Sequence, residues 1–221
     1  LLTRKGVVSL NQLDQLMMEL EQMGGEVKKA VRCSIDALVE KNSEIALEII
    51  NQDDLIDNHL IVIEDLITRF IAAKNPQGKE LRSSLSVFKL ARDLERVADY
   101  GTNIAEITLE LKNQEYIKPL IHIPQLASLA LNMLDVALRA FLDGNADLAE
   151  AVCRKDEEAD NICDSIYKEL TTNLTAQEDP NWVKQIIRLN MVARYLERIA
   201  DHATNIGEET ILLYTGKRVK Y

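Results

Sequence analysis

Residues 91–111 (ARDLERVADYGTNIAEITLEL) and 193–213 (ARYLERIADHATNIGEETILL) are identical at 13 of 21 positions without a gap. Whatever this segment does in the fold, it does twice. The duplication continues upstream at an offset one residue larger: Asp53, Asp57 and Asn58 align with Asp156, Asp160 and Asn161, and Ala37, Asn42 and Ala46 align with Ala140, Asn145 and Ala149. The repeated unit therefore takes up half of the 221 residues, and we expect one unit over 1–116 and a second over 117–221.

Each unit reads as three helices. Leu13, Leu16, Leu20, Met23, Val27, Val31, Ile35 and Leu38 recur at steps of three and four, which predicts a first helix from about Val8 to Glu40. Asn42 or Ser43 caps a second, which carries Ile45, Ile49, Ile56, Leu60, Ile63, Ile67 and Phe70 on one face until Asn75-Pro76-Gln77-Gly78 ends it. A third covers 79–113. The pattern then repeats, with breaks at Gly144-Asn145 and Glu178-Asp179-Pro180 and an end at Thr215-Gly216-Lys217. Connections this short force successive helices to run antiparallel. The expected fold is all-α: two tandem, pseudo-symmetric up-down-up three-helix bundles.

With 36 acidic against 26 basic side chains, the surface repels phosphate backbones and offers no footprint for nucleic acid. Nor does the sequence show the converging arginines and lysines of an anion site. Cys33, Cys153 and Cys163 form no CxxC pair and are odd in number, as expected of reduced thiols in a cytoplasmic protein. No basic leader precedes a long apolar stretch, and no run approaches the roughly 20 apolar residues that cross a bilayer. The expectation is a soluble protein that meets a membrane only through its partners.

The third helix of each unit carries a polar stripe: Arg92, Glu95, Asp99, Asn103 and Glu106, repeated as Arg194, Glu197, Asp201, Asn205 and Glu208. Steps of three and four place each set on one face, roughly 130 to 170° from the apolar face, so these carboxylates are expected near the surface. Asp53 and Asp57, repeated as Asp156 and Asp160, stack one turn apart on the second helix. Counting from the intervening turn, Asp57 is as far from position 76 as Glu95, and Asp53 as far as Asp99. The two sets should therefore meet at one height on antiparallel helices, and the second copy repeats the relation. Oxygen-rich clusters of this kind, without Cys or clustered His, suit hard cations such as magnesium, manganese or iron. The alternative is a solvated face in which Arg92 pairs with Glu95 and Arg96 with Asp99. His59, His122, His202 and Trp182 read as structural or surface residues; His202 has Tyr100 as its first-copy counterpart, so no function shared by both copies depends on it.

The doubled pattern DLERVADYGTNIAE and YLERIADHATNIGE, preceded by Asp-Asp-Leu-Ile-Asp and Asp-Glu-Glu-Ala-Asp, closely resembles the signature of the PhoU family. The resemblance extends through Met23-Gly24 to the terminal Leu-Tyr-Thr-Gly-Lys and covers essentially the whole chain. It implies two pseudo-symmetric three-helix bundles with multinuclear metal clusters, often iron, on E/DxxxD motifs. By position, the implied ligands are Asp53, Asp57, Glu95, Asp99 and Asn103 for one cluster and Asp156, Asp160, Glu197, Asp201 and Asn205 for the other, with Glu106 and Glu208 as extras. It further implies a non-enzymatic negative regulator of phosphate uptake and of the phosphate-starvation response, contacting a phosphate-sensing histidine kinase and the ATPase of the phosphate ABC transporter, commonly as a homodimer.

Two other classes make distinct demands. A ferritin-like di-iron enzyme needs Glu-x-x-His motifs facing a buried core, and no Glu lies three residues before any of the three histidines. A helical adaptor that binds partners without metal would differ from the first reading in metal content. No Gly-rich phosphate loop or nucleophile elbow suggests another enzyme.

Overall fold

A computed structural model describes residues 12–172 and 179–221. The expected helix start at Val8 and the Glu178 end of the last interhelical break lie outside those residues. Among the described residues, eight helices run in order: α1 (Gln12–Glu40), α2 (Ser43–Asn51), α3 (Asp53–Lys74), α4 (Gly78–Leu111), α5 (His122–Asp143), α6 (Ala146–Cys153), α7 (Asp156–Thr172) and α8 (Pro180–Thr215). There is no strand among the described residues.

The expected second helix of each unit is thus two helices, α2 with α3 and α6 with α7. At the first break the Gln52 backbone N–H reaches back to the carbonyls of both Glu48 and Ile49, and at the second Arg154 N–H bonds Glu150 and Lys155 N–H bonds Val152. Neither junction contains Gly or Pro, so the sequence carries no breaker there. The residues just past each junction are acidic: Asp53 and Asp54 open α3, and Asp156, Glu157 and Glu158 open α7. Carboxylates are favoured in a helix's first turn because the unpaired N–H groups and the helix dipole face them. Each break therefore supplies a favourable end for the Asp that begins the DxxxD pair.

Other local signals are shared by both copies. Asn42 caps α2 by accepting from the Glu44 and Ile45 N–H groups, and its counterpart Asn145 caps α6 through the Leu148 N–H. The chain turns just before these caps through left-handed residues, Lys41 at φ 56° and Gly144 at φ 67°. A tyrosine hydroxyl ties down the end of the preceding helix each time, Tyr116 donating to the Leu38 carbonyl and Tyr214 to that of Phe141. Burial pushes the Tyr116 hydroxyl up to about 12.

The first and third helices of the two units pack in a ring, α1 on α4, α4 on α8, α8 on α5 and α5 on α1. The α2–α3 pair lies across α1 and α4, and α6–α7 packs correspondingly on α5 and α8. One hydrophobic core runs through all of it, from Leu16, Leu20 and Val27 on α1 through Leu94 and Val97 on α4 to Leu134, Leu196 and Ile199. The helix α5 is long and apolar enough to cross a bilayer by length and composition alone, more so than the sequence reading allowed. Its Leu126, Ala130, Leu134 and Phe141 are instead buried in this core.

The contact between α4 and α8 relates the two copies. Tyr100 stacks on Tyr195 with ring centroids 5.6 Å apart, and Asp93 meets His202 at 2.8 Å. In the repeat alignment Asp93 corresponds to Tyr195 and Tyr100 to His202, so these are the same contact made twice about a local two-fold axis. One is an aromatic stack and the other a polar pair. Rising numbers on α4 meet falling numbers on α8, so the two helices are antiparallel. Extending the register, Ser86 Oγ donates to Glu209 at 2.6 Å.

Helices approach closely where the third helix of a unit has a small residue. At Gly207 an added Cβ would lie 2.6 Å from Cys153 Sγ and 3.1 Å from the Ala149 carbonyl oxygen on α6. Gly207→Ala should therefore cost about 1–3 kcal/mol and lower the melting temperature by several degrees. Gly25, in the middle of α1, has nothing within 4 Å of an added Cβ. Gly25→Ala should leave the melting temperature unchanged or raise it, because Ala is the better helix former by up to about 1 kcal/mol. Thermal denaturation of both variants by circular dichroism checks the pair.

Candidate metal centre

In the second repeat the height-matched carboxylates meet between α7 and α8. On α7 and α8, one oxygen each from Asp160, Glu197 and Asp201 fall within 4.8 Å of one another. Among the described residues no other trio of His, Cys, Asp or Glu side chains is so close, and Asp57, Glu95 and Asp99 stand further apart. They still feel one another: in addition to burial, Asp99 and Asp57 raise the Glu95 carboxyl, and Asp53 and Asp57 raise that of Asp99.

Threonine hydroxyls complete the arrangement. Thr102 Oγ1 donates to Asp53 at 2.9 Å and Thr204 Oγ1 donates to Asp156 at 2.9 Å, fixing the first aspartate of each DxxxD pair against the third helix. The sequence reading missed these two residues. The signal was present, because the threonine is identical in both copies, but it lies outside the three-four stripe that drew attention.

The expectation of surface carboxylates needs correction. Glu197 is buried, and Glu95, Asp99 and Asp201 are only partly exposed. Helices α3 and α7 pack on the flank of the third helix, so the stripe faces the seam between helices. Glu95 Oε2 and Glu197 Oε2 are both buried with no hydrogen-bond partner. Burial is accordingly the largest cause that raises the carboxyls of Glu95, Asp99, Asp160, Glu197 and Asp201, and neighbouring carboxylates add to it.

Arginines offset part of this charge. Arg96 lies 3.4 Å from Asp99 and 3.7 Å from Glu95, and Arg198 lies 3.0 Å from Asp201 and 3.9 Å from Glu197. Of the pairs foreseen in the first copy, Arg96 with Asp99 forms. Arg92 makes no ion pair with Glu95, whereas its counterpart Arg194 meets Glu197 at 2.7 Å.

The remaining candidates sit at the edges. Asn103 is partly exposed and Glu106 exposed. Asn205 and Glu208 line a cavity of about 320 Å³ with Asp156 and Asp201, closed on one side by Lys220 and Tyr221. Glu208 Oε1 already accepts the Tyr221 backbone N–H at 2.8 Å. The isolated histidines all pair with carboxylates away from the clusters: His59 bridges Glu19 and Glu26, His122 meets Glu169, and His202 meets Asp93. Burial pushes the Cys153 thiol up to about 12 and the Cys163 thiol to about 11, which leaves both poor thiolate ligands.

The donor set fits a hard divalent or trivalent cation. All donors are oxygens, and each cluster has one buried carboxylate oxygen with no hydrogen-bond partner. The second trio is compact enough for one ion to touch all three side chains.

Two tandem units that each set an Asp pair against a Glu-x-x-x-Asp helix face define a duplicated helical-bundle protein with one oxygen-rich cluster per repeat. The chain belongs to the PhoU family: the PhoU domain model matches residues 20–108 and again 123–210. Among its relatives, a phosphate-specific transport system accessory protein PhoU homolog of Clostridium acetobutylicum is 32% identical, the alignment covering 99% of this chain and 98% of that protein. PhoU homolog 2 of Thermotoga maritima is 34% identical over 89% of this chain and 83% of its own length. The crystal structure of PhoU from Pseudomonas aeruginosa superposes with a TM-score of 0.88 at 31% identity, covering 93% of this chain and 98% of that one. The phosphate transport system regulatory protein PhoU from Streptococcus pneumoniae superposes at 0.87 and 30% identity, covering 95% of this chain and 98% of that one.

The raised carboxyls give a pH-dependent expectation with a definite sign. A carboxyl whose folded pKa lies above its unfolded value destabilises the fold when ionised. That penalty is complete above the folded pKa and fades as pH falls through it toward the ordinary value, 4.5 for Glu197. Without metal, Glu197→Gln should therefore melt higher than wild type near neutral pH, and the gap should shrink on acidification. Melting curves of both proteins in chelator from about pH 8 to about pH 5 measure it.

Proposed function

We propose that this chain is a non-catalytic regulator of phosphate homeostasis, acting as the accessory protein of a phosphate-specific transport system. The supporting observation is the likeness of both repeats, in order and over nearly the full length, to accessory and regulatory proteins of that system. In this reading the protein restrains uptake when phosphate is plentiful and represses the starvation response. It links the ATPase of the high-affinity transporter to the phosphate-sensing histidine kinase, working in the cytoplasm and reaching the membrane only through these partners.

The same reading gives the clusters a metal. Asp156, Asp160, Glu197 and Asp201 would hold ions in the second repeat and Asp53, Asp57, Glu95 and Asp99 in the first, with iron, manganese or magnesium as candidates. Asn103, Glu106, Asn205 and Glu208 would contribute from the edges. A bound cation would supply the charge that the buried carboxylate oxygens lack and would lock the second helix of each unit onto the third. A metal-free adaptor is the second reading, favoured by the ion pairs that Arg96 and Arg198 already make with both clusters.

A pull-down with the sensor kinase and the transporter ATPase at high and low phosphate tests the regulatory role. Retention of at least one partner is expected, and retention of neither contradicts it. The purified chain should turn over no phosphoester or nucleotide, and steady hydrolysis by a pure preparation would reverse that assignment. Manganese or iron at a hundredfold excess over Kd should stabilise the wild type by about 2.7 kcal/mol per independent site. For a chain of this size that is a melting shift of several degrees. Replacing Glu95 and Asp99 by Gln and Asn should remove the first site's share. Equal melting of stripped and loaded wild type favours the adaptor.

A further inference from the structure

A groove of about 630 Å³ runs between α4, α8 and the segment after Gly216 that folds back along α8. One wall is apolar, formed by Phe88, Leu212 and Val219; Val219 is itself seated on the small cluster of Ala140, Ala149 and Ile211. Four cations reach the groove, Lys89 and Arg92 from α4 and Arg218 and Lys220 from the returning segment.

Three acidic residues share the lining, and each has a partner. Glu209 accepts from Ser86 Oγ at 2.6 Å and from Lys89 Nζ at 2.9 Å. Asp93 meets His202 at 2.8 Å, and Glu208 accepts the Tyr221 N–H. Among the described residues, Arg92, Arg218 and Lys220 make no ion pair. With four cations against three carboxylates, the lining carries a formal net charge of +1 on a chain of net charge −10, so an anion is favoured there over the rest of the surface. The volume falls within the roughly 300–1,000 Å³ of small-molecule sites. Guanidinium forks and an ammonium match the oxygens of a phosphoryl group better than a single carboxylate, and the apolar wall could cover an organic portion.

We propose that this groove binds a small anion through a phosphoryl group, held by Arg92, Arg218 and Lys220. Inorganic phosphate and a nucleotide share that chemistry and differ in whether they use the wall at Phe88. The sequence does not reveal the site, because Arg92 and Arg218 lie 126 positions apart and become neighbours only when the segment after α8 returns to α4. The proposal does not rest on the metal reading, and its test is run without metal.

Titration calorimetry of the whole chain in chelator, with inorganic phosphate and with ATP as separate probes, decides it. Saturable binding of at least one probe is expected, with affinity about tenfold weaker in the double variant Arg218→Gln/Lys220→Gln. Arg92→Gln should also bind more weakly, and Lys168→Gln, an exposed charge on α7, should match wild type. All four substituted positions are exposed, so melting curves should confirm intact folding. Phosphate binding assigns the inorganic ion, and binding of ATP alone assigns a nucleotide-type ligand. No saturable binding of either probe, or equal affinity in wild type and both groove variants, overturns the proposal.

Discussion

The antiparallel contact of α4 with α8 is the constraint on which the rest of the structure depends. Tyr100 against Tyr195 and His202 against Asp93 are one contact repeated about a local two-fold axis, and they hold the two third helices in a single register. Because Glu95 and Asp99 lie beside this axis on one helix and Glu197 and Asp201 on the other, the register also sets both carboxylate clusters at the same level of the bundle. The first helices close the ring behind them through packing of α1 on α5 and the Lys28–Asp135 ion pair at 2.5 Å. Burial around that axis stabilises the whole, since the core there continues from one repeat to the other without a gap.

The clusters work against that stability. A globular interior favours neutral, fully bonded groups, yet the same fold buries Glu197 and leaves an oxygen of both Glu95 and Glu197 without a hydrogen-bond partner. Local conflict of this kind, kept in both copies of a duplicated unit, is where function is expected to sit. Nearby, Thr102 and Thr204 hold the opening aspartates, the helix breaks place favourable N-terminal ends beneath them, and Arg96 and Arg198 offset part of the charge. In the proposed reading these contacts preorganise the site for an added cation while leaving it tolerable without one.

Much of this was legible in the sequence because duplication makes periodicity self-checking. The buried faces of α1, α3 and α4 carry the residues that the three-four spacing selects, and the height match of Asp160 with Glu197 comes from counting residues about a turn. Three things were not legible. The breaks at Gln52 and Arg154 contain no Gly or Pro and depend on the tertiary path of α2 and α6 over the third helices. Glu197 looked exposed because helical phase separates it from the apolar stripe but says nothing about a neighbour packed on its flank. The groove at Arg92 and Arg218 is built from segments that no local pattern joins. The place of His202 opposite Asp93 needed the two-fold axis to be seen.

The central claim is that each repeat builds one oxygen-rich cation site from its second and third helices. Anomalous diffraction from crystals soaked in manganese measures this most directly. The account predicts a peak within about 2.0–2.3 Å of oxygens from Asp160, Glu197 and Asp201, and a second, related by the local two-fold axis, beside Asp57, Glu95 and Asp99. Well-diffracting soaked crystals with no peak at either cluster, or with manganese only at other surface carboxylates, would contradict it.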